Sequence, residues 1–232
     1  IQPKVDMRNG DIVGGEALVR WLHPTEGLIS PGRFIPVLEK NGLIIDVDYC
    51  IWTQVFRWIH SRLESGKKVV PISINISRMH AHDIVFTDRL IRLSEEYHVP
   101  ASLVILELTE SSFLTNTDGM FGSMLELKKH GFMLSMDDFG TGYSTMTMLR
   151  NQPVDEVKID KGFIDDIEDK NVQIILNNII HMLHELGKKI IVEGVETKAQ
   201  QDYLISHDCY HAQGFLYYKP MPMEEFEALL DQ

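Results

Sequence analysis

Two periodicities alternate along this chain. Short, nearly continuous apolar runs occupy residues 12–21, 69–76, 103–109, 132–137, 154–160, 189–195 and 210–216. Such runs are what strands buried on both faces look like. Between them lie segments whose apolar residues recur at helical spacing, at 44–64, 83–97, 118–130 and 172–186, with further helices beginning at Thr197 and covering 223–230. Gly66, Gly131 and Gly187 stand where these helices should stop, as C-terminal glycines do. The opening run 2–7 is followed by Arg8-Asn9-Gly10-Asp11, and Asn-Gly between two β-like runs signals a hairpin. About eight strands separated mostly by helices predict an α/β fold, a modified TIM (β/α)8 barrel with its first strand antiparallel. An open doubly wound sheet is the alternative, but no Gly-rich phosphate loop follows the first strand.

In such a barrel, functional groups gather at the C-terminal ends of strands. The polar residues that interrupt the apolar runs fall there: Glu16, Asn75, Glu107, Asp137-Asp138, Lys158 and Asp160, Glu193 and Gln213. Any one of them can be read as a strand-end residue capping the next helix. Jointly they cannot, because ionised carboxylates in an apolar interior must be paired, protonated or metal-bound, and few bases stand opposite. An all-oxygen set of this size suits Mg2+ or Mn2+. Asp137 and Asp138 are adjacent where the chain turns, so both can reach one site. Two ions held there would clamp the attacking and leaving oxygens of a phosphoryl displacement. Gly140 and Gly142 fit a tight loop after that strand.

Composition narrows the partner. A net charge of −12 is the wrong sign for wrapping polymeric nucleic acid, yet it permits a small anion bridged through metal ions. Cys50 and Cys209 are far apart without a CxxC partner and read as small core side chains. No signal peptide or 18-residue apolar run is present, so a cytoplasmic location is the expectation. The chain opens on Ile1, which suggests a domain cut from a longer protein. Asp138-Phe139-Gly140 also occurs in protein kinases, but no His-Arg-Asp loop or Gly-rich nucleotide loop accompanies it. The ten histidines form no metal motif, and His80 and His82 read as solvated or capping residues. No Ser–His–Asp arrangement stands out.

These residues also match a known family. Glu16-Ala17-Leu18-Val19-Arg20-Trp21, Glu107-Leu108-Thr109-Glu110, Asp137-Asp138-Phe139-Gly140-Thr141-Gly142, Val157-Lys158-Ile159-Asp160, Glu193-Gly194-Val195-Glu196 and Gln213-Gly214-Phe215 resemble the motifs of EAL domains, bacterial cyclic di-GMP phosphodiesterases. The likeness runs from Gln2-Pro3 to Lys219-Pro220 and takes the chain as one domain, 1–232. It implies that Glu16, Asn75, Glu107 and Asp137 hold one ion, and that Asp137, Asp138 and Glu193 hold a second. Lys158 would orient the attacking water, with Gln213 supporting it, and Glu110 would hold the loop after Asp138. Arg20 would meet a phosphate and Gln2 would lie near a guanine. Asp160, Glu196 and Pro220 complete the substrate set. The implied product is linear 5′-pGpG. Homodimerisation is implied as well, with an upstream sensory or GGDEF domain in the full protein. Segment 44–58 is either a dimer face or a core-facing helix. Relatives that lose the leading Glu, the second Asp or the Lys become silent receptors, which is the alternative function; this chain keeps all three. Departures are Gly162, where Ser is frequent, and a methionine-rich 145–149.

Overall fold

The computed structural model describes residues 1–83, 85–110, 112, 117–140, 149 and 153–232, and the side chains of 81, 82, 117 and 118 are not described. Gly142 and the methionine-rich 145–148 therefore lie outside the described residues. In chain order the elements are β1 (Gln2–Asp6), β2 (Ile12–Ala17), β3 (Trp21–His23), β4 (Gly27–Ile29), α1 (Pro31–Lys40), α2 (Ile44–Glu64), β5 (Ile72–Asn75), α3 (Phe86–Glu96), β6 (Val104–Thr109), α4 (Thr117–Lys129), β7 (Met133–Phe139), β8 (Glu156–Ile159), α5 (Lys170–Glu185), β9 (Lys189–Glu193), α6 (Lys198–Ser206), β10 (His211–Gln213) and α7 (Met223–Leu230).

Strands β1-β10-β9-β8-β7-β6-β5-β2 close into a barrel in that order. β1 runs antiparallel to both neighbours, with Val5 opposite Ala212 and Gln2 opposite Glu16, while the remaining pairs are parallel. The fold class and the antiparallel first strand match the sequence expectation. The 12–21 run does not stay one strand. It leaves the barrel after Ala17, and Trp21–His23 pairs with Gly27–Ile29 in a separate two-stranded sheet. Helix α1 was not anticipated, because Pro36 inside it argues against a helix.

Strand alternation sorts the residues of these runs between two faces. Side chains along a strand point alternately to opposite faces. Leu106 and Leu108, Leu134 and Met136, Val157 and Ile159, Ile190 and Val192 join one core between strands and helices. The residues between them, Glu107, Ser135, Lys158 and Ile191, point the other way, into the lumen. Helix α2 packs Trp52, Val55, Phe56 and Ile59 into that core, so segment 44–58 faces inward. Its Trp52 indole also donates to the Asn75 carbonyl at 3.1 Å, fixing the end of β5. Gly66, Gly131 and Gly187 take positive φ just past their helices, as read from the sequence.

Candidate active site

Lys158 on β8 marks the centre. Its ammonium lies 3.1 Å from Glu16, 3.0 Å from Glu107, 3.0 Å from Asp137 and 2.7 Å from Glu193. These carboxylates come from β2, β6, β7 and β9, and strands so far apart around a barrel can meet only in its lumen. Asn75 donates its side-chain amide to Glu16 at 3.1 Å, and Gln213 donates to Glu16 at 2.8 Å and to Gln2 at 2.9 Å. One cation thus faces four carboxylates, and two amides hold the Glu16 carboxylate in place.

At the rim, ligand oxygens of Asp137, Asp138 and Glu193 lie within 4.8 Å of one another. Asp138 adopts a left-handed backbone, φ 56°, and donates its N–H to the Asp137 carboxylate at 3.0 Å. That conformation costs most residues about 1–2 kcal/mol but is accessible to Asp, and it turns both adjacent acids toward one point. The next residue but one, Gly140, has φ 99° and donates its N–H to Glu110 at 3.2 Å. A Cβ on Gly140 would stand 2.2 Å from the Phe163 ring, so glycine is required there. The donor set is all oxygen, carries more negative charge than Lys158 offsets, and fits a hard divalent cation.

The electrostatics express that excess. Burial pushes the Glu16 and Asp137 carboxyls above their ordinary range, and their mutual crowding with Glu107 adds to it. Burial lifts Glu193 to about 7 despite the attraction of Lys158. Glu107 goes the other way: burial opposes its ionisation, but Lys158 and Lys4 overcome it and bring the carboxyl down to about 2. Lys158 is buried, yet its carboxylate partners hold it protonated well above the usual lysine range. A lysine so held is no general base in the metal-free protein, which favours the orienting role.

A pH dependence follows. An unfolded Glu193 ionises near 4.5, while the folded group keeps its proton to about 7. Between those values the native state binds the extra proton, so this group's contribution to stability falls as pH rises. A divalent cation held by Glu193 would displace the same proton. Its affinity should therefore rise from about pH 6 to about pH 8 with proton release, read by Mn2+ calorimetry in buffers of different ionisation enthalpy. Equal affinity without proton release at both pH values would contradict this.

Two cavities flank the centre. One of about 540 Å3 is lined by Glu16, Arg20, Asp48, Asn75 and Arg78, among others. The other, about 290 Å3, is lined by Gln2, Asp160, Glu193, Glu196, Gln213 and Phe215, among others.

Comparison with known proteins identifies the family, because the EAL domain model matches residues 1–220. This chain belongs to the EAL domain family. It is 38% identical over 228 residues to the bifunctional diguanylate cyclase/cyclic di-GMP phosphodiesterase MucR of Pseudomonas aeruginosa, covering 98% of this chain and 33% of MucR. It is 34% identical over 230 residues to the cyclic di-GMP phosphodiesterase NbdA of the same organism, covering 99% of this chain and 29% of NbdA. The chain thus spans about a third of the length of these curated relatives. The structure of the MucR phosphodiesterase in complex with c-di-GMP superposes with a TM-score of 0.91 at 38% identity, covering 97% of this chain and 92% of that one. The cAMP- and cyclic-di-GMP-bound EAL enzyme Bd1971 gives 0.92 at 30% identity, covering 99% and 63%.

Within this EAL domain the expected residues separate into groups. Glu16, Asn75, Glu107, Asp137, Lys158, Glu193 and Gln213 form one bonded cluster, with Asp138 at its rim. Glu110 stands behind it on Gly140. Gln2, Asp160 and Glu196 share the smaller cavity, where Asp160 also caps the following turn by accepting from the Gly162 N–H at 2.9 Å. Arg20 lines the larger cavity. Pro220 lines neither of these cavities but a third, of about 480 Å3, with Arg20, Leu18, Leu22, Leu28 and Met221 among others. Two sequence readings need correction. His80 is buried, 3.0 Å from Asp48 and packed against Tyr49, Trp52 and Phe86, rather than solvated. Cys50 is exposed on α2, while Cys209 is buried as expected. Sequence reasoning also missed Lys4 and Glu156, both buried in the lumen. Lys4 lies mid-strand among polar and apolar residues and Glu156 opens β8, so neither stands at the strand's C-terminal end where chemistry was sought.

Proposed function

We propose that this EAL domain hydrolyses cyclic di-GMP to linear 5′-pGpG with Mg2+ or Mn2+, two ions per site. The observation that carries this is the ring of Glu16, Glu107, Asp137 and Glu193 around Lys158, set between two cavities. A two-lobed anion with its phosphodiester over the ring would place a base in each cavity, as a cyclic dinucleotide does. The relatives named for this activity, MucR and NbdA, support the substrate.

Glu16, Asn75, Glu107 and Asp137 would hold one ion, and Asp137, Asp138 and Glu193 the other. When bound, the ions supply a polarised water and stabilise charge on the phosphoryl oxygens. Lys158, held protonated, donates hydrogen bonds that aim the water, and Gln213 fixes the Glu16 carboxylate beside it. Glu110 keeps the Asp138–Gly140 turn in shape. Arg20 meets a substrate phosphate, Gln2, Asp160 and Glu196 border a base, and Pro220 borders the substrate from the neighbouring cavity that Arg20 shares. Its share of its relatives' length supports a place in a longer signalling protein, with an upstream sensory or cyclase domain. The proposal takes 1–232 as one cytoplasmic unit that pairs as a homodimer. No helix among the described residues is long and apolar enough to cross a membrane.

Incubation with cyclic di-GMP and Mn2+, followed by chromatography over time, should yield 5′-pGpG, and excess chelator should stop it. Binding of the nucleotide without product under Mn2+ would replace this reading with that of a silent receptor.

A further inference from the structure

Lys4 has no part in the chemistry above, yet its ammonium is buried in the lumen with its side chain 1% exposed. Taking an ammonium out of water costs several kcal/mol unless all its donors are used. They are used: Lys4 donates to Ser73 at 2.7 Å, to Glu107 at 2.8 Å and to Glu156 at 2.9 Å. The two carboxylates differ in what else they do. Glu156 is occupied by structure, receiving the Ser135 hydroxyl at 3.1 Å and pairing its other oxygen with Lys189 at 3.1 Å. Glu107 instead offers one oxygen, Oε1, to Lys4 and the other, Oε2, to Lys158 at 3.0 Å in the candidate metal centre. Its carboxylate is clamped between two ammoniums.

We propose that Lys4 is a positioning residue for the metal centre: by engaging Oε1 of Glu107 from below, it commits Oε2 to the site. Glu156 and Ser73 in turn set the height at which that ammonium sits. The inference rests on the metal-dependent reading above. Its rival is plain charge balance, in which Lys4 merely neutralises Glu156.

The double variant Lys4→Met/Glu156→Gln separates them, because it removes both charges together and leaves Glu107 in place. Charge balance predicts that thermal stability, Mn2+ affinity and kcat all return to wild-type values. Positioning predicts that stability recovers relative to Lys4→Met alone. Mn2+ affinity by calorimetry and kcat should then stay about 10–100-fold down, the usual cost of losing a partner of a metal ligand, with KM for cyclic di-GMP unchanged. If that pair does not fold, Lys4→Met/Glu156→Leu fills the lumen with apolar side chains, a replacement buried ion pairs commonly tolerate, and is read in the same way. Wild-type Mn2+ affinity and kcat in the folded double variant overturn the proposal. A wild-type protein that binds Mn2+ but hydrolyses nothing overturns the reaction instead, and Mn2+ affinity alone then decides for or against Lys4.

Discussion

Asp138→Ala is expected to lower kcat for cyclic di-GMP by roughly 10²–10³-fold or more, the scale of removing one preorganised group that stabilises a transition state, here through the ion that Asp138 would hold. Asp138 is half-buried at the end of β7, where its carboxylate converges with those of Asp137 and Glu193. Loss of fold does not explain the deficit. At φ 56° alanine costs about 1–2 kcal/mol more than a residue that tolerates this conformation, a fall of roughly 2–8 °C in Tm for a chain of this size. Asp138→Asn keeps the shape and the tolerance of positive φ but not the charge, so it should keep the wild-type Tm and still lose turnover. Activity within tenfold of wild type in both variants would remove Asp138 from the site.

Lys158→Met should be inactive and, without metal, markedly less stable. Its ammonium contacts four carboxylates at 2.7–3.1 Å, and removing one partner of a buried ion cluster costs about 3–5 kcal/mol, roughly 6–20 °C in Tm. The deficit carries a sign in pH. Freed of Lys158, the carboxylates relieve their repulsion by taking up protons, so the variant should lose less stability at about pH 5 than at about pH 8. Mn2+ should raise its Tm more than it raises that of wild type, because the ion supplies the missing positive charge. A metal-free Lys158→Met with wild-type Tm at about pH 8 would show that Lys158 is not the counter-ion of the cluster.

The barrel was legible because its strands alternate with helices along the chain, and because helix stops such as Gly131 and Gly187 mark the boundaries. The acidic centre was legible for a related reason: Glu107, Asp137 and Glu193 break apolar runs where a barrel places its chemistry. The β3–β4 sheet was hidden because it breaks the burial rule. Trp21, Leu22 and Leu28 are apolar but 46%, 77% and 64% exposed, so no burial pattern marks this sheet, and Trp21 was read into a strand that had already ended. Lys4 and Glu156 were hidden because each sits in a mixed stretch, Gln2-Pro3-Lys4-Val5-Asp6 and Asp155-Glu156-Val157-Lys158, where a lumen-facing charge does not stand out until the partner strands are known. His80 was misread for want of Asp48, which comes from another element.

The antiparallel placement of β1 carries a consequence for how the protein is made. The seam of the barrel joins β1 to β10, where Val5 pairs with Ala212 and Met7 donates to the Tyr210 carbonyl at 2.7 Å. Those partners are separated by nearly the whole chain, so this contact is among the slowest to form. Gln213 crosses the seam to hold Gln2 and Glu16. On the ribosome, a nascent chain stopped before β10 has the strands of the acidic ring in one open sheet but lacks Gln213, whose amide ties Gln2 and Glu16 across the seam. The acidic site is therefore expected to be complete only once the last strand has been made and the barrel has closed on it.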